Sequence, residues 1–417
     1  MHKRSGNLLV SLVTATCLLS FLGAVGIGFD SGMLCVGAKD KVAVAPEATS
    51  SNETQGITDK EILIGSCSAL EGPVAGLGKA MTSGAKLYLQ HINEQGGVHG
   101  RQLKLVCYDD SYDPDKAIQC FNCLQKDKVF CGAFFVGAPP ATKYVPMAEA
   151  NNFPIVGLFT GVPFLHDPFR PHLFNIRNGY AEEAQLQVQH LWKDLGIRKI
   201  GVIYQDDACG VATLEGAKKA LAKLGGNIVA QGSFARGSLD VKNAVDMVKS
   251  AGAEAVIMDG GYSSIVKVVQ ESHAGGWHPL FVCVSFVAAE PYIREAKADA
   301  EGTVITQVVP SYDRTELPTV ALYRKLLGSD AKPSFAQFEG FVDAMVLCEA
   351  LKRAGQDLTR AKLISALESM HNLDIGLGPD FKLLFSGQRH KGFDGLACTV
   401  VRNGKPETFH DWKELKK

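Results

Sequence analysis

The sequence has almost no charge imbalance: 43 Lys and Arg stand against 44 Asp and Glu, for a formal net charge of −1. No Lys/Arg-rich run is present either. A nucleic-acid or anionic-membrane surface needs a basic stripe, so neither partner is expected. H-E-x-x-H and G-x-S-x-G are both missing, which removes the local signatures of zinc peptidases and serine hydrolases. The stretch GSCSALEGPVAGLGKAMTSGAKLYLQHINEQGG, residues 65–97, reads as strand, glycine-rich turn and helix. Its glycines, Gly72, Gly76 and Gly78, do not form G-x-G-x-x-G, and Gly78-Lys79 is followed by Ala80 rather than the Ser or Thr of a phosphate loop. In both motifs the spacing is the mechanism, so nucleotide binding is excluded as well. Short-period repeats, low-complexity tracts and heptads are also lacking.

What is present is an ordinary globular composition, 46% apolar and 21% charged over 417 residues. That length allows two domains and a large core. The first residues differ from the rest. His2, Lys3 and Arg4 precede an apolar run from Leu8 to Phe29, the layout of a secretory signal. Val36-Gly37-Ala38 supplies small residues for cleavage, giving a signal peptide over residues 1–38. The same run is long enough to be an uncleaved membrane anchor. Cys35 offers a lipoprotein alternative, although Leu34 is bulky for the position before it. Residues 39–56, KDKVAVAPEATSSNETQG, are small and polar and read as a flexible leader. A secreted, periplasmic location follows from this reading.

Nine cysteines remain after residue 38, an odd number that leaves at least one unpaired. Cys120-Phe-Asn-Cys123 has the spacing of a redox pair, but Asp113-Pro114 starts its helix two turns earlier. The pair therefore sits mid-helix beside Ile118, Phe121 and Leu124, where cysteine serves as a small buried apolar residue. A second pair at zinc spacing is not found, so no metal is expected, and no cofactor.

From Glu61 onward apolar strands alternate with amphipathic helices. EILIGSC, QLKLVCY, KVFCGAFFV and FPIVGLF form a first array; after Arg177, RKIGVIY, NIVAQGSF, EAVIMDG, PLFVCVS and GTVITQVV form a second. Such alternation implies parallel sheets covered by helices on both faces, and continuous apolar runs such as AVIMD suit doubly covered strands. The strands are too many for one compact open sheet, so two lobes of similar build are expected. Three helices follow, at Thr319–Leu327, Ser334–Ala354 and Arg360–Met370, the middle one apolar nearly all round and hence buried.

Two acidic groups invite chemistry. Asp109, Asp110 and Asp113 read as structural, with Asp113 an N-cap and Pro114 the first helical residue. Asp206-Asp207 follow the strand RKIGVIY; a carboxyl-end position is where open α/β sheets bind ligands, and also where a solvated loop lies.

ILIGSCSALEGPVAGLGKAMTSGAKLYLQHINEQGGVHGRQLKLVCYDDSYDPDKA resembles the opening of periplasmic solute-binding proteins of the branched-chain amino acid (Leu/Ile/Val) class, the type I receptors of ABC importers. The matching features are the G-P-x-A-x-x-G turn, G-A-x-L-x-x-x-x-I-N, G-G-V-x-G-R and Y-D-D-x-x-D-P. FPIVGLFTGVPFL, RKIGVIYQDDACG, AVIMDGGYSS and GTVITQVVPSYD resemble later segments, in order, from Ile57 to Phe409.

This resemblance implies an α/β fold of two doubly wound parallel-sheet lobes joined by a three-strand hinge. Lobe I would span 57–177 plus 310–384, and lobe II 178–309 plus 385–417, with crossovers near Arg177, Gln307–Pro310 and Leu384–Lys391. A small amino acid, carboxylate or amide would be held between the lobes and delivered to a membrane permease by a monomeric, non-catalytic receptor. The ligand positions carry over to Leu77, Ala138, Thr160 and Gly161 in lobe I. In lobe II they carry over to Cys209, Tyr262 and Ser285, with Asp206, Asp207 and Phe286 beside them. There are departures. Ser285 stands where amino-acid binders place an acid for the ligand ammonium, Cys209 near where they place a tyrosine, Leu77 lacks the usual aromatic, and Ala138 lacks a hydroxyl. Asp206 or Asp207 would then have to meet an ammonium. A sensory module of the same fold, and a secreted hydrolase using Asp206 or Asp207, are the alternative readings.

Overall fold

The computed structural model describes residues 52–416; the signal segment and the leader up to residue 51 lie outside the described residues. The first array comprises β1 (Glu61–Ser68), α1 (Ala75–Glu94), β2 (Gln102–Asp109), α2 (Pro114–Lys126), β3 (Cys131–Val136), α3 (Ala138–Ala150), β4 (Ile155–Phe159) and the short β5 (Leu173–Phe174). Its five strands form a wholly parallel sheet in the order β2-β1-β3-β4-β5. Every residue of β3 and β4 is buried, as a strand covered on both faces requires.

The second array runs α4 (Tyr180–Lys193), β6 (Ile200–Gln205), α5 (Ala208–Lys223), β7 (Ala230–Phe234), α6 (Lys242–Ser250), β8 (Ala255–Asp259), α7 (Tyr262–Ala274), β9 (Leu280–Cys283), α8 (Ala289–Ala296) and β10 (Val304–Gln307). Then come α9 (Pro318–Leu327), α10 (Phe335–Ala354), α11 (Arg360–Glu368), the small β11 (His371–Leu373) and β12 (Leu383–Leu384), and finally β13 (Ala397–Arg402) and β14 (Lys405–Thr408). The second sheet has the order β14-β13-β10-β9-β8-β6-β7. Its β10 to β7 part is parallel, while β13 and β14 add antiparallel at the edge. That antiparallel edge is not part of the sequence reading.

The fold is thus α/β with two parallel-sheet lobes, and the chain passes between the sheets three times. It leaves the first sheet after β5, leaves the second after β10 to place α9 and α10 against α1, and returns after β12 to build β13. The first and third passages are hydrogen-bonded side by side: Asn175 N–H donates to the His390 carbonyl at 2.9 Å, and Phe393 N–H to the Ile176 carbonyl at 2.7 Å.

Helix α10 is buried as its apolar surround predicts, and Ser334 caps it by accepting from Gln337 N–H at 3.2 Å. It crosses α1 at glycines. A methyl on Gly84 would lie 1.8 Å from the Gln337 carbonyl oxygen, and one on Gly340 2.1 Å from that of Met81. Asp113 caps α2 through the N–H groups of Asp115 and Lys116, with Pro114 opening the helix. Cys120 is buried mid-helix, its thiol donating to the Asp109 carbonyl.

One expectation needs correcting. Residues 52–56, the end of the expected flexible leader, form turns docked on lobe I. The Glu53 carbonyl and carboxylate accept from Arg360 and Ala361 N–H, and the Gly56 carbonyl accepts from Leu63 N–H at 2.8 Å. Their polar composition reflects a backbone spent on hydrogen bonds, not a free chain.

Candidate functional site

The glycine-rich turn between β1 and α1 is fixed by one carboxylate. Asp109, at the end of β2, accepts from the N–H groups of Leu70, Glu71 and Ser111 and from the Ser111 hydroxyl. Gly72 takes φ +79°, which only glycine adopts freely. Gly78 lets α1 start directly against the strand, since a methyl there would lie 2.0 Å from the Ala69 carbonyl oxygen. Gly76 serves a different end: a methyl there would come 3.2 Å from the hydroxyl of Tyr262, at the start of α7 in the other lobe. The turn therefore brings lobe I backbone up to lobe II.

Other contacts join the same two walls. Thr160 and Gly161 follow β4, and the Gly161 carbonyl accepts from Tyr180 N–H at 3.0 Å. Ser285 follows β9, and its N–H and hydroxyl both donate to Glu183, at 2.7 Å each. Between them stands Arg177, on the first linking segment and only 2% exposed. Its guanidinium donates to the Ser285 hydroxyl, lies 3.5 Å from Glu183 and 3.3 Å from Glu339, and covers the rings of Phe159 and Tyr180 at 4.8 and 5.2 Å. Phe286 fills the adjoining space, its ring centroid 5.7 Å from Tyr112, 6.1 Å from Tyr180 and 6.5 Å from Phe159.

The sequence candidates divide on this geometry. Thr160, Gly161, Ser285 and Phe286 gather around Arg177 and Tyr180. Cys209 joins them through Tyr180, whose hydroxyl faces both Thr160 and Cys209. Tyr262 meets Gly76 at the cleft edge. Leu77 and Ala138 are fully buried in the lobe I core. Asp207 is half-buried and caps α5 by accepting from Cys209 and Gly210 N–H; it also accepts from Gln205 and, at 3.4 Å, from the Tyr112 hydroxyl of lobe I. Asp206 is exposed, so the structure does not gather it with the others.

Five residues of this cluster escaped the sequence reading: Tyr112, Arg177, Tyr180, Glu183 and Asp259. Asp259 ends β8, fully buried, and accepts from Thr213 and from the Cys209 thiol at 3.1 Å. Its carboxyl-end position was the available signal, as it was for Asp206 and Asp207.

Burial sets the charges. It raises Asp259 to about 7 against the hydrogen bonds that favour its ionised form. Glu339 also rises to about 7 through burial, partly offset by Arg177. Glu183 is raised by burial too, opposed by Arg177, Thr306 and Ser285. The Cys209 thiol is pushed well up by burial and by Asp259, so it stays protonated and is no nucleophile. No group of three or more His, Cys, Asp or Glu among the described residues is arranged to hold a metal ion. A separate hollow of about 1250 Å³ lies to one side, lined by Lys79, Glu290, Arg294, Tyr312 and Lys405 among others, and contains none of the candidate residues.

Comparison with known proteins agrees with this architecture. The model of the family described as periplasmic binding protein matches residues 61–405. The chain is 24% identical over 322 residues to Leu/Ile/Val-binding protein homolog 3 of Brucella melitensis, covering 76% of this chain and 86% of that one. It superposes on a possible leucine/isoleucine/valine-binding protein from Rhodopirellula baltica with a TM-score of 0.81 and 27% identity, over 86% of this chain and 98% of that one. A fatty acid ABC transporter substrate-binding protein from Thermomonospora curvata shares the fold, with a TM-score of 0.77 at 23% identity over 86% and 94% of the two chains.

Proposed function

This chain belongs to the periplasmic binding protein family, and from that premise we propose that it is the receptor subunit of an ABC importer. It is a solute-binding protein and not an enzyme, and the family acts in the periplasm. Its lobes close by hinge motion on a small amino acid, carboxylate or amide, and the closed form presents the solute to a membrane permease. The receptor acts as a monomer, exported by its N-terminal signal segment.

The observation that carries this reading is the convergence of Thr160 from lobe I with Cys209 and Ser285 from lobe II on Arg177 and Tyr180. These residues lie at the carboxyl ends of parallel strands or just beyond, where such sheets bind ligands. They can be brought together or parted by rotation about the linking segments.

A thermal-shift screen of residues 39–417 tests it, with α-amino acids, deaminated carboxylates, aromatic acids, amides and urea-like compounds. A ligand at 100 times its Kd adds about 2.7 kcal/mol of stability, a shift of several degrees. Stabilisation by one chemical class is the expected result. A flat response across the whole panel contradicts the reading.

A further inference from the structure

We propose that the cleft takes a solute bearing a carboxylate and no free ammonium, held by Arg177 together with the hydroxyls of Thr160 and Tyr180. This inference rests on the receptor reading above. It comes from a census of buried donors and acceptors. Arg177 Nε, Thr160 Oγ1 and Tyr180 OH have no hydrogen-bond partner, Arg177 Nη1 has only the Glu339 carboxylate at 3.3 Å outside hydrogen-bond geometry, and the three residues are 2%, 0% and 0% exposed. Buried polar atoms in folded proteins are nearly always satisfied, so this concentration of orphans at one junction of the lobes marks a place for a polar ligand group. The atoms are neighbours. Thr160 follows Phe159, whose ring Arg177 covers, and the Tyr180 hydroxyl faces Thr160.

What they offer is donation. A guanidinium only donates, and each hydroxyl has a proton to give. Carboxylate oxygens are the acceptors best matched to such a set. An ammonium, by contrast, finds no open carboxylate on the lobe II wall, where the unpartnered acceptor Gln187 Oε1 is a neutral amide oxygen that carries no charge to offset it. Glu183 already accepts from Ser285 N–H, Ser285 Oγ and Thr306 Oγ1. Asp207 is taken by the α5 cap and Gln205, and Asp259 by Thr213 and Cys209. Two acceptors are left over on α10. Glu339 Oε1 lies behind the guanidinium, 3.3 Å from Nη1, and Asp343 Oδ1 is buried one turn further along, its carboxylate under Gly157 of β4. An unpaired ammonium in so dry a setting is costly. Phe159, Tyr180, Tyr112 and Phe286 would surround the apolar body of the solute, with Phe286 turning aside to admit it.

The test is calorimetric titration with matched sets: branched, straight-chain and aromatic carboxylic acids, each beside its 2-amino counterpart and its primary amide. Wild-type protein, Thr160→Val, Tyr180→Phe and Arg177→Lys are compared. Since the Thr160 and Tyr180 hydroxyls face each other without reaching hydrogen-bond geometry, their variants should unfold within about 2 °C of wild type, yet each should bind the acid about tenfold more weakly. Arg177→Lys should bind at least as poorly, and the two hydroxyl variants keep the test alive if it does not fold. Amino acids binding as tightly as their deaminated partners, or acid affinity unchanged in both hydroxyl variants, overturn this inference and leave the receptor reading standing. Binding by no compound overturns the receptor reading, and this inference with it.

Discussion

Replacing Phe286 with alanine separates the two lobes' claims on one side chain. Its ring is fully buried, packed against Tyr112 and Phe159 of lobe I and against Tyr180 beyond the first linking segment. A buried Phe→Ala change costs about 3–5 kcal/mol in a single core. Two of its three ring neighbours, Tyr112 and Phe159, belong to the other lobe, so about 2 kcal/mol of the loss should fall on the balance between closed and open forms. That corresponds to about a 30-fold shift toward the open form. Spin labels at Glu71 in lobe I and Leu239 in lobe II, both exposed, report the distance between the cleft edges by pulsed electron resonance. The variant should show a new, longer distance population, while its melting temperature falls by less than a full core deletion demands. An unchanged distance distribution together with the full 3–5 kcal/mol loss would refute the reasoning, because Phe286 would then be ordinary core of one lobe.

Other perturbations probe the fold and its charges. Gly84→Ala should destabilise lobe I by about 1–3 kcal/mol, since the methyl meets the Gln337 carbonyl oxygen at 1.8 Å. Gly387→Ala, whose methyl would meet only the Glu368 carboxylate at 3.9 Å, should be near neutral in the same calorimetric scan. Asp259 is raised from 3.8 to about 7 in the folded protein, so its contribution is fully present below pH 3.8 and is lost as pH rises through 7. Asp259→Asn should therefore flatten the fall in stability between pH 4 and 7, by up to about 1.4 kcal/mol per pH unit, with the gain over wild type largest at pH 8. Equal pH slopes for the two proteins in chemical denaturation contradict that assignment.

The alternation of apolar strands with amphipathic helices was enough to read two parallel-sheet lobes, because a doubly covered strand such as AVIMD must be apolar throughout. Helix caps were equally legible, as Asp113-Pro114 shows, since their chemistry is local. The strands β13 and β14 were not: β14 is short and half-exposed, and although β13 is largely buried, neither is flanked by an α-helix, so no strand–helix alternation marks them. Within the cleft, the positions read by resemblance lie on loops just after strands or at helix starts. Arg177 was missed because residues 175–179 carry neither strand nor helix period, and Tyr180 and Glu183 because at the start of α4 they read as ordinary helix residues. The role of Arg177 exists only once both lobes are in place. Glu339 and Asp343 were hidden differently, as two buried acids of a largely apolar helix, where the pairing of Glu339 with Arg177 depends on how α10 packs.

The most direct measurement is a crystal structure of residues 39–417 with the compound that stabilises the protein most. Electron density between Thr160 and Ser285, with a carboxylate in contact with Arg177, is the expected result. Density in the hollow beside Lys79, Arg294 and Lys405, with the groups around Arg177 unchanged, contradicts the placement of the ligand at Arg177.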